Sequence, residues 1–381
     1  MGTGGAERSL AESLPFFAAA GIKLIIACQF KRREGVEEYV RSQSHDVRFL
    51  LQGNLPGRVR ALRSLIRSER VNLVHTTIFE SDLLGRLAAV GCGIPVLTSL
   101  VNTPYEPVRL TDPNVSRMRL WGARKIDGWT GRHLTSHFHA ITQAVKASAV
   151  ERLRVPAELI TVIERGRDPS RLGVASQERR ALARRELGLD DRDKVLVNVG
   201  RQEYQKGQRF LLEATAQLVP KHPRLKLVIA GRPGNASTEL HRALDQLGIE
   251  ERVKFLGHRE DVPEILAAGD VFVFPSLYEG LCGSLIEAMA LGLPIVASDI
   301  PAVREVLEEN RNALLVSPAS PEELAFSITR VLEDHELARR FRQRSVEIFH
   351  ERFTLDKSAA RMIQLYSWMV TGTEVPYPDV Q

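Results

Sequence analysis

Cysteine is scarce in this chain: Cys28, Cys92 and Cys282 are the only three in 381 residues, odd in number and far apart. That excludes a disulfide framework, and free thiols in a reducing cytoplasm are the expectation. Long apolar runs are missing too. No stretch approaches the roughly 18–20 residues of a membrane span, and the nearest, Gly21-Ile-Lys-Leu-Ile-Ile-Ala27, reads as a buried strand. Met1 is followed by glycines and a charged pair, not by the apolar core of a signal peptide. No helix-turn-helix, zinc-finger or aromatic-basic pattern is present, so nucleic acid is not an expected partner.

The remaining composition is that of a soluble globular protein, 44% hydrophobic and 26% charged, with length enough for two cores. A net charge of +5 permits contact with anionic surfaces without requiring it. The sharpest local bias puts Arg60, Arg63, Arg67 and Arg70 on one face of a predicted helix. That face suits either solvent or phospholipid headgroups, the latter at the inner surface of a cell membrane.

From Lys194 onward strands and helices alternate. The expected strands are Val195–Gly200, Leu225–Gly231, Val253–Gly257, Val271–Phe274, Pro294–Ser298 and Ala313–Val316. Continuous apolar strands with intervening helices mean a parallel sheet covered on both faces, in the α/β class. The first half repeats the plan with strands at Ile22–Cys28, Val47–Leu51, Leu73–His75, Val96–Leu100, Phe138–Thr142 and Ile160–Glu164. A hinge is expected near Arg167–Val174, and a helical tail from Pro321 to Val370 with a break near Phe353. Gly2-Thr-Gly-Gly5 resembles the turn after a first parallel strand, which is expected either upstream of Met1 or not at all.

Two constellations carry chemistry. Glu279-Gly-Leu-Cys-Gly-Ser-Leu-Ile-Glu287 follows the strand Val271–Phe274 and opens a helix expected from about Leu281 to Leu291. Glu279 is expected to be exposed on the loop, with Glu287 inside the helix facing the same crevice. Gly280 and Gly283 let backbone amides approach a ligand. The second constellation, Arg201-Gln-Glu-Tyr-Gln-Lys206-Gly207, places a cation at each end of a loop beside a helix N-terminus, which suits a diphosphate. Together they fit cleavage of a sugar–phosphate bond, with cations on the departing diphosphate and carboxylates on hydroxyl groups. Asp191-Arg-Asp193 has a metal-binding spacing, but it precedes its strand and so lies at the wrong edge. His133, His137 and His139 lack partners at metal-site spacing and are read as packing or surface residues, and His75 as structural.

With these residues in view, the chain resembles the family-four retaining glycosyltransferases. The carriers are Gly2-Thr-Gly-Gly-Ala-Glu-Arg, Val199–Gly207, Phe255-Leu-Gly257, Phe274–Gly280 and Leu285–Asp299. The resemblance implies the GT-B architecture, two Rossmann-like doubly wound domains facing across a cleft. On that basis residues 1–170 form an acceptor-side domain and 171–350 a nucleotide-sugar domain, while 351–381 cross back onto the first. Arg201 and Lys206 would bind and stabilise the leaving diphosphate, and Glu279 would contact the transferred sugar. Glu287 would hold the ribose, and the amides around Cys282, Gly283 and Ser284 would contact phosphate. Gly4 and Gly5 would face the sugar donor from the first domain. The base would be read near Gly231–Gly234 and Phe255–Arg259.

Transfer would retain configuration, from a UDP- or GDP-sugar to a glycan or lipid-linked acceptor in cell-surface polysaccharide or glycolipid synthesis. It would need no metal and no cofactor besides the nucleotide sugar as co-substrate. Two departures stand out. Val101 and Asn102 occupy the place where many members carry a histidine, and Glu164-Arg-Gly-Arg-Asp168 replaces a Pro-Asn-Gly-Val-Asp-like turn. A catalytically silent nucleotide-sugar-binding relative or scaffold, or a nucleotide-sugar epimerase, are the alternative readings.

Overall fold

The structure is a computed structural model of the chain and describes Gly2 and residues 4–30, 35–43, 45–50 and 53–373. Met1 and Thr3 of the glycine-rich motif, Leu51 of an expected strand, and residues 374–381 of the tail lie outside the described residues. Two compact units divide the chain. One comprises Met1–Glu106, Ser116–Gly166 and Thr354–Gln381, the other Pro107–Val115 and Arg167–Phe353. The excursion 107–115 joins the second unit through side chains: Asn235 Nδ2 donates to Asp112 Oδ2 at 3.1 Å, and the Tyr204 hydroxyl to Thr111 Oγ1 at 3.2 Å.

The first unit runs α1 (Gly5–Ala19), β1 (Ile25–Cys28), α2 (Glu37–Ser42), β2 (Asp46–Phe49), α3 (Leu55–Ser68) and β3 (Val74–Thr77). It continues α4 (Phe79–Ala89), β4 (Val96–Leu100), α5 (Arg117–Leu134), β5 (His137–Ala140), α6 (Gln143–Ser148) and β6 (Ile160–Val162). β3, β4, β5 and β6 form a parallel sheet in that order, while β1 and β2 pair separately. The first strand starts at Ile25, not Ile22, because the Ile22 amide closes α1 by donating to Phe17 O at 2.9 Å.

The second unit holds α7 (Pro169–Leu172), α8 (Gln177–Glu186), β7 (Lys194–Val199), α9 (Gln208–Leu218), β8 (Leu225–Ala230), α10 (Ser237–Leu247) and β9 (Val253–Gly257). After these come α11 (Val262–Ala267), β10 (Val271–Phe274), α12 (Gly283–Ala290), β11 (Ile295–Ser298), α13 (Pro301–Arg304), β12 (Ala313–Val316), α14 (Pro321–Glu333) and α15 (His335–Arg352). The final helix, α16 (Leu355–Thr371), packs in the first unit, where Leu365 and Tyr366 bury against Leu14, Phe17 and Leu97. The helical tail breaks at Asp334 as well as at Phe353, since the Asp334 carboxylate caps α15 by accepting the Leu337 amide at 2.8 Å.

All six strands of the second sheet are parallel, in the order β12-β11-β10-β7-β8-β9. Val195, Leu196, Val197, Leu227, Val271 and Val273 are fully buried, as strands covered on both faces must be. The order reverses between β7 and β10. The carboxyl ends of these two strands are therefore the topological switch point where such sheets bind ligands.

Candidate active site

Both chemistry-bearing segments leave the sheet at this point. Residues 200–207 follow β7 and residues 275–282 follow β10, and hydrogen bonds hold the two loops together. Leu277 N donates to Gln205 O at 2.8 Å, and Gln205 Nε2 donates to Tyr278 O at 2.7 Å. Gly207, at φ +59°, makes the approach possible, because a Cβ there would sit 2.0 Å from Pro275 O. Below them the buried Asn198 and Gln208 continue the lacing. Asn198 Nδ2 donates to Val273 O at 3.0 Å, and Gln208 Nε2 to Asn198 Oδ1 at 2.9 Å.

Lys206 Nζ lies 2.5 Å from Glu279 Oε1, with Glu279 buried and the Lys206 side chain 13% exposed. Glu279 was expected to be exposed at the loop mouth. It is instead 9% exposed, because the lacing through Gln205 draws its loop against Lys206. Burial alone would push the Lys206 ammonium down, but Cys282 and Glu279 outweigh it and hold it above the ordinary lysine range. Arg201 stands near enough to repel Lys206, yet its own guanidinium is exposed and pairs with Glu203 at 3.0 Å. Burial also pushes the Tyr278 phenol up to about 12.

The helix α12 begins at Gly283, two residues later than Leu281, because Cys282 is extended at φ −91°, ψ 123°. Glu287 therefore sits about one turn inside. Cys282 Sγ lies 3.9 Å from Lys206 Nζ and 3.2 Å from Ser284 Oγ. The Ser284 hydroxyl donates to Val199 O at 3.0 Å, tying the N-terminus of α12 to the end of β7. Its first-turn amides carry the positive end of the helix dipole toward that edge. Gly4 and Gly5, at the start of α1, belong to the first unit.

The sequence reading left the segment Glu164–Asp168 without a role, and here the structure adds a residue. Arg167 is 3% exposed, and its Nε donates to Glu287 Oε1 at 2.8 Å. Its guanidinium lies against the first turn of α12, where a Cβ on Gly283 would meet Nη2 at 1.8 Å, so a larger residue there would displace the Arg167 guanidinium. Thus each of the two carboxylates meets a buried cation, Glu279 with Lys206 and Glu287 with Arg167. One signal was available in sequence, the arginine standing in a segment that departs from the family's turn.

The rejected Asp191-Arg-Asp193 lies on the turn before β7, where the Asp193 carboxylate accepts the Asp190 amide at 2.9 Å. Among the described residues no group of three His, Cys, Asp or Glu is placed to hold a metal ion. His137 and His139 are buried in β5, while His133 is exposed on α5 against Trp129. His75, at the edge strand β3, bonds Tyr366 through Nδ1 at 2.7 Å and Ser99 through Nε2 at 2.6 Å.

On the basic face of α3, Arg60 and Arg67 are exposed. Arg63 is committed to the C-terminal carbonyls of α4, donating to Leu87 O at 2.8 Å and Ala88 O at 3.1 Å. Arg70 lies past the helix end. Among the described residues no helix is long and apolar enough to cross a membrane.

The sequence matches the model of Glycosyltransferase Family 4 over residues 3–171 and that of Glycosyl transferases group 1 over residues 179–347. A glycosyltransferase of Methanocaldococcus jannaschii, MJ1607, is 29% identical over 229 residues, which is 59% of this chain and 58% of that protein. The UDP-Gal:alpha-D-GlcNAc-diphosphoundecaprenol alpha-1,3-galactosyltransferase of Escherichia coli is 26% identical over 283 residues, covering 72% of this chain and 70% of that one. The crystal structure of Anabaena Alr3699/HepE in complex with UDP-glucose superposes with a TM-score of 0.83 at 23% identity, covering 96% of each chain. Parallel sheets in two units, the switch-point cluster and these matches together make the chain a member of the family-four, group 1 glycosyltransferases, with the GT-B fold.

Proposed function

We propose that the protein transfers a sugar from a nucleoside diphosphate sugar to a hydroxyl group of a glycan or lipid-linked acceptor, with retained configuration and without a metal. The observation that carries this reading is the pairing of Lys206 with Glu279 at the switch point, a compact cation and a carboxylate 2.5 Å apart. Lys206, with Arg201 and the first-turn amides of α12 at Cys282, Gly283 and Ser284, would neutralise charge growing on the diphosphate. Glu279 would hold hydroxyls of the transferred sugar, and Glu287, oriented by Arg167, those of the ribose.

In the step itself the bond from the anomeric carbon to the phosphate oxygen breaks, and a bond to the acceptor oxygen forms on the same face. The acceptor's proton passes to an oxygen of the leaving diphosphate. A uridine nucleotide is the favoured donor, on the analogy of the Anabaena protein's UDP-glucose complex. A lipid-linked acceptor follows the Escherichia coli relative, whose name specifies a diphosphoundecaprenol. Such an acceptor would put the protein at the cytoplasmic face of a membrane, where the exposed Arg60, Arg67 and Arg70 would meet anionic headgroups.

Incubation with UDP-sugars, followed as release of free UDP with and without acceptor lipid, tests the reading. UDP release with a glycosylated product of retained configuration supports it. Binding without release favours a silent relative, and an isomerised nucleotide sugar with no glycosylated product favours an epimerase.

A further inference from the structure

The helix α5 is built the wrong way round for a soluble surface. Its inner side, packed against α4, is small or polar: Asp127, Gly128, Thr130 and Gly131 are the buried residues. Asp127 is fixed there by Arg86 Nη1 at 2.7 Å and by the Tyr105 hydroxyl at 3.0 Å. Gly131 lets the helix lie close, since a Cβ would meet Phe138 at 3.5 Å and the Arg86 guanidinium at 3.7 Å. The bulky apolar residues point the other way. Met118 is 82% exposed, Trp121 58%, Ile126 48% and Trp129 55%. At 100° per residue, Met118, Trp121, Lys125 and Trp129 share an arc of about 80°.

The charges on the outer side have one sign. Arg117, Arg119 and Lys125 are exposed, and the only acid in the helix is the buried Asp127. Lys125 Nζ lies over the Trp121 ring at 5.7 Å, so cation and indole already form one surface. Bulky apolar side chains exposed together on one helix face mark an interaction site. Indole rings interleaved with lysine and arginine match a bilayer boundary, where rings sit at headgroup level and cations meet anionic phosphates.

We propose that the outer face of α5 is a docking surface for the headgroup layer of an anionic lipid bilayer. The buried Asp127–Arg86 pair keeps the helix on its unit while the indoles of Trp121 and Trp129 enter the interface. The basic helix α3 also packs on α4, but its exposed Arg60 and Arg67 carry no comparable indole surface.

The test is co-sedimentation of the full chain with vesicles of phosphatidylcholine alone or containing a third phosphatidylglycerol. The expected result is binding to the anionic vesicles only, weakened by salt. Trp121→Ala/Trp129→Ala and Arg117→Glu/Arg119→Glu/Lys125→Glu should each weaken it by more than about tenfold. Arg60→Glu/Arg67→Glu should change it far less. Circular dichroism and UDP release should match wild type in all three variants, separating lost docking from lost folding. Equal binding by wild type and the tryptophan variant, or loss of binding only in the α3 variant, would overturn the proposal. So would a wild-type dimer, seen by light scattering without lipid, that the tryptophan substitutions convert to monomer, since the face would then belong to a second copy of the chain.

Discussion

Arg167 and Glu287 stand 120 residues apart in sequence and 2.8 Å apart in space, each with a side chain only 4% exposed. The pair joins the start of the second unit to α12, the helix opening at the sheet's switch point. Removing one member leaves the other charged and buried, which typically costs about 3–5 kcal/mol. Arg167→Ala should therefore lower urea stability by that order, and Arg167→Lys by less. If Glu287 holds the ribose, both variants should also weaken UDP binding while binding of 2′,3′-dideoxy-UDP changes little. Equal weakening of the two ligands would reduce Arg167 to a structural role.

Lys206 and Glu279 are coupled in the same way, but the reaction uses both. Lys206→Ala should reduce kcat by roughly 10²–10³, the scale for deleting one electrostatic contact to a transition state. The stability losses should not add. Lys206→Met/Glu279→Leu should be more stable than either single variant, because neither buried charge is left alone. Additive losses in urea melts would mean the pair is not coupled.

Two glycines with left-handed backbone separate conformational strain from close approach. Gly91 has φ +74° and nothing within 4 Å of an added Cβ, so Gly91→Ala should cost only the ~1–2 kcal/mol of the backbone conformation. Gly207 has φ +59° and Pro275 O only 2.0 Å from the added atom. Gly207→Ala should cost more and should abolish UDP release, since the clash moves Lys206 away from Glu279. Similar melting temperatures and retained turnover would contradict the loop lacing.

Acid should loosen the first unit through a buried relay. His139 Nε2 bonds Ile163 O at 2.8 Å, and a carbonyl only accepts, so that nitrogen carries the hydrogen. With neutral rings, Ser99 then donates to His139 Nδ1 at 2.7 Å and accepts from His75 Nε2, and the Tyr366 hydroxyl donates to His75 Nδ1. Burial pushes His139 down to about 4. Above pH ~6.5 both folded and unfolded forms are neutral and nothing is gained or lost. As pH falls from ~6.5 toward 4, the unfolded chain takes up a proton that the native state refuses, and stability falls by up to roughly 3 kcal/mol. His139→Gln should be less stable at neutral pH and should lack this part of the slope. Parallel stability curves for variant and wild type would count against the relay.

The second sheet was legible in sequence because its strands are continuous apolar runs, and Val253–Gly257, Val271–Phe274 and Ala313–Val316 begin and end where expected. Arg201, Lys206 and Glu279 could be picked out because each lies a few residues beyond a strand end, and Glu287 because it lies in the helix that follows. What sequence could not supply was pairing. The exposure expected for Glu279 came from its loop position, and only the Gln205 lacing reveals that Lys206 buries it. Arg167 looked like a hinge substitution, since its partner is 120 residues away. The outer face of α5 was equally hidden. Met118, Trp121 and Trp129 recur at helical spacing as core residues do, and only the buried Asp127–Arg86 pair fixes which side faces inward.

The most direct test of the switch-point cluster as the sugar-donor site is calorimetric titration of UDP into wild type and into folded Lys206→Ala and Arg201→Ala variants. The account predicts one site per chain in wild type and a Kd raised at least about tenfold, some 1.4 kcal/mol, in each variant. Wild-type Kd values in both variants would contradict it.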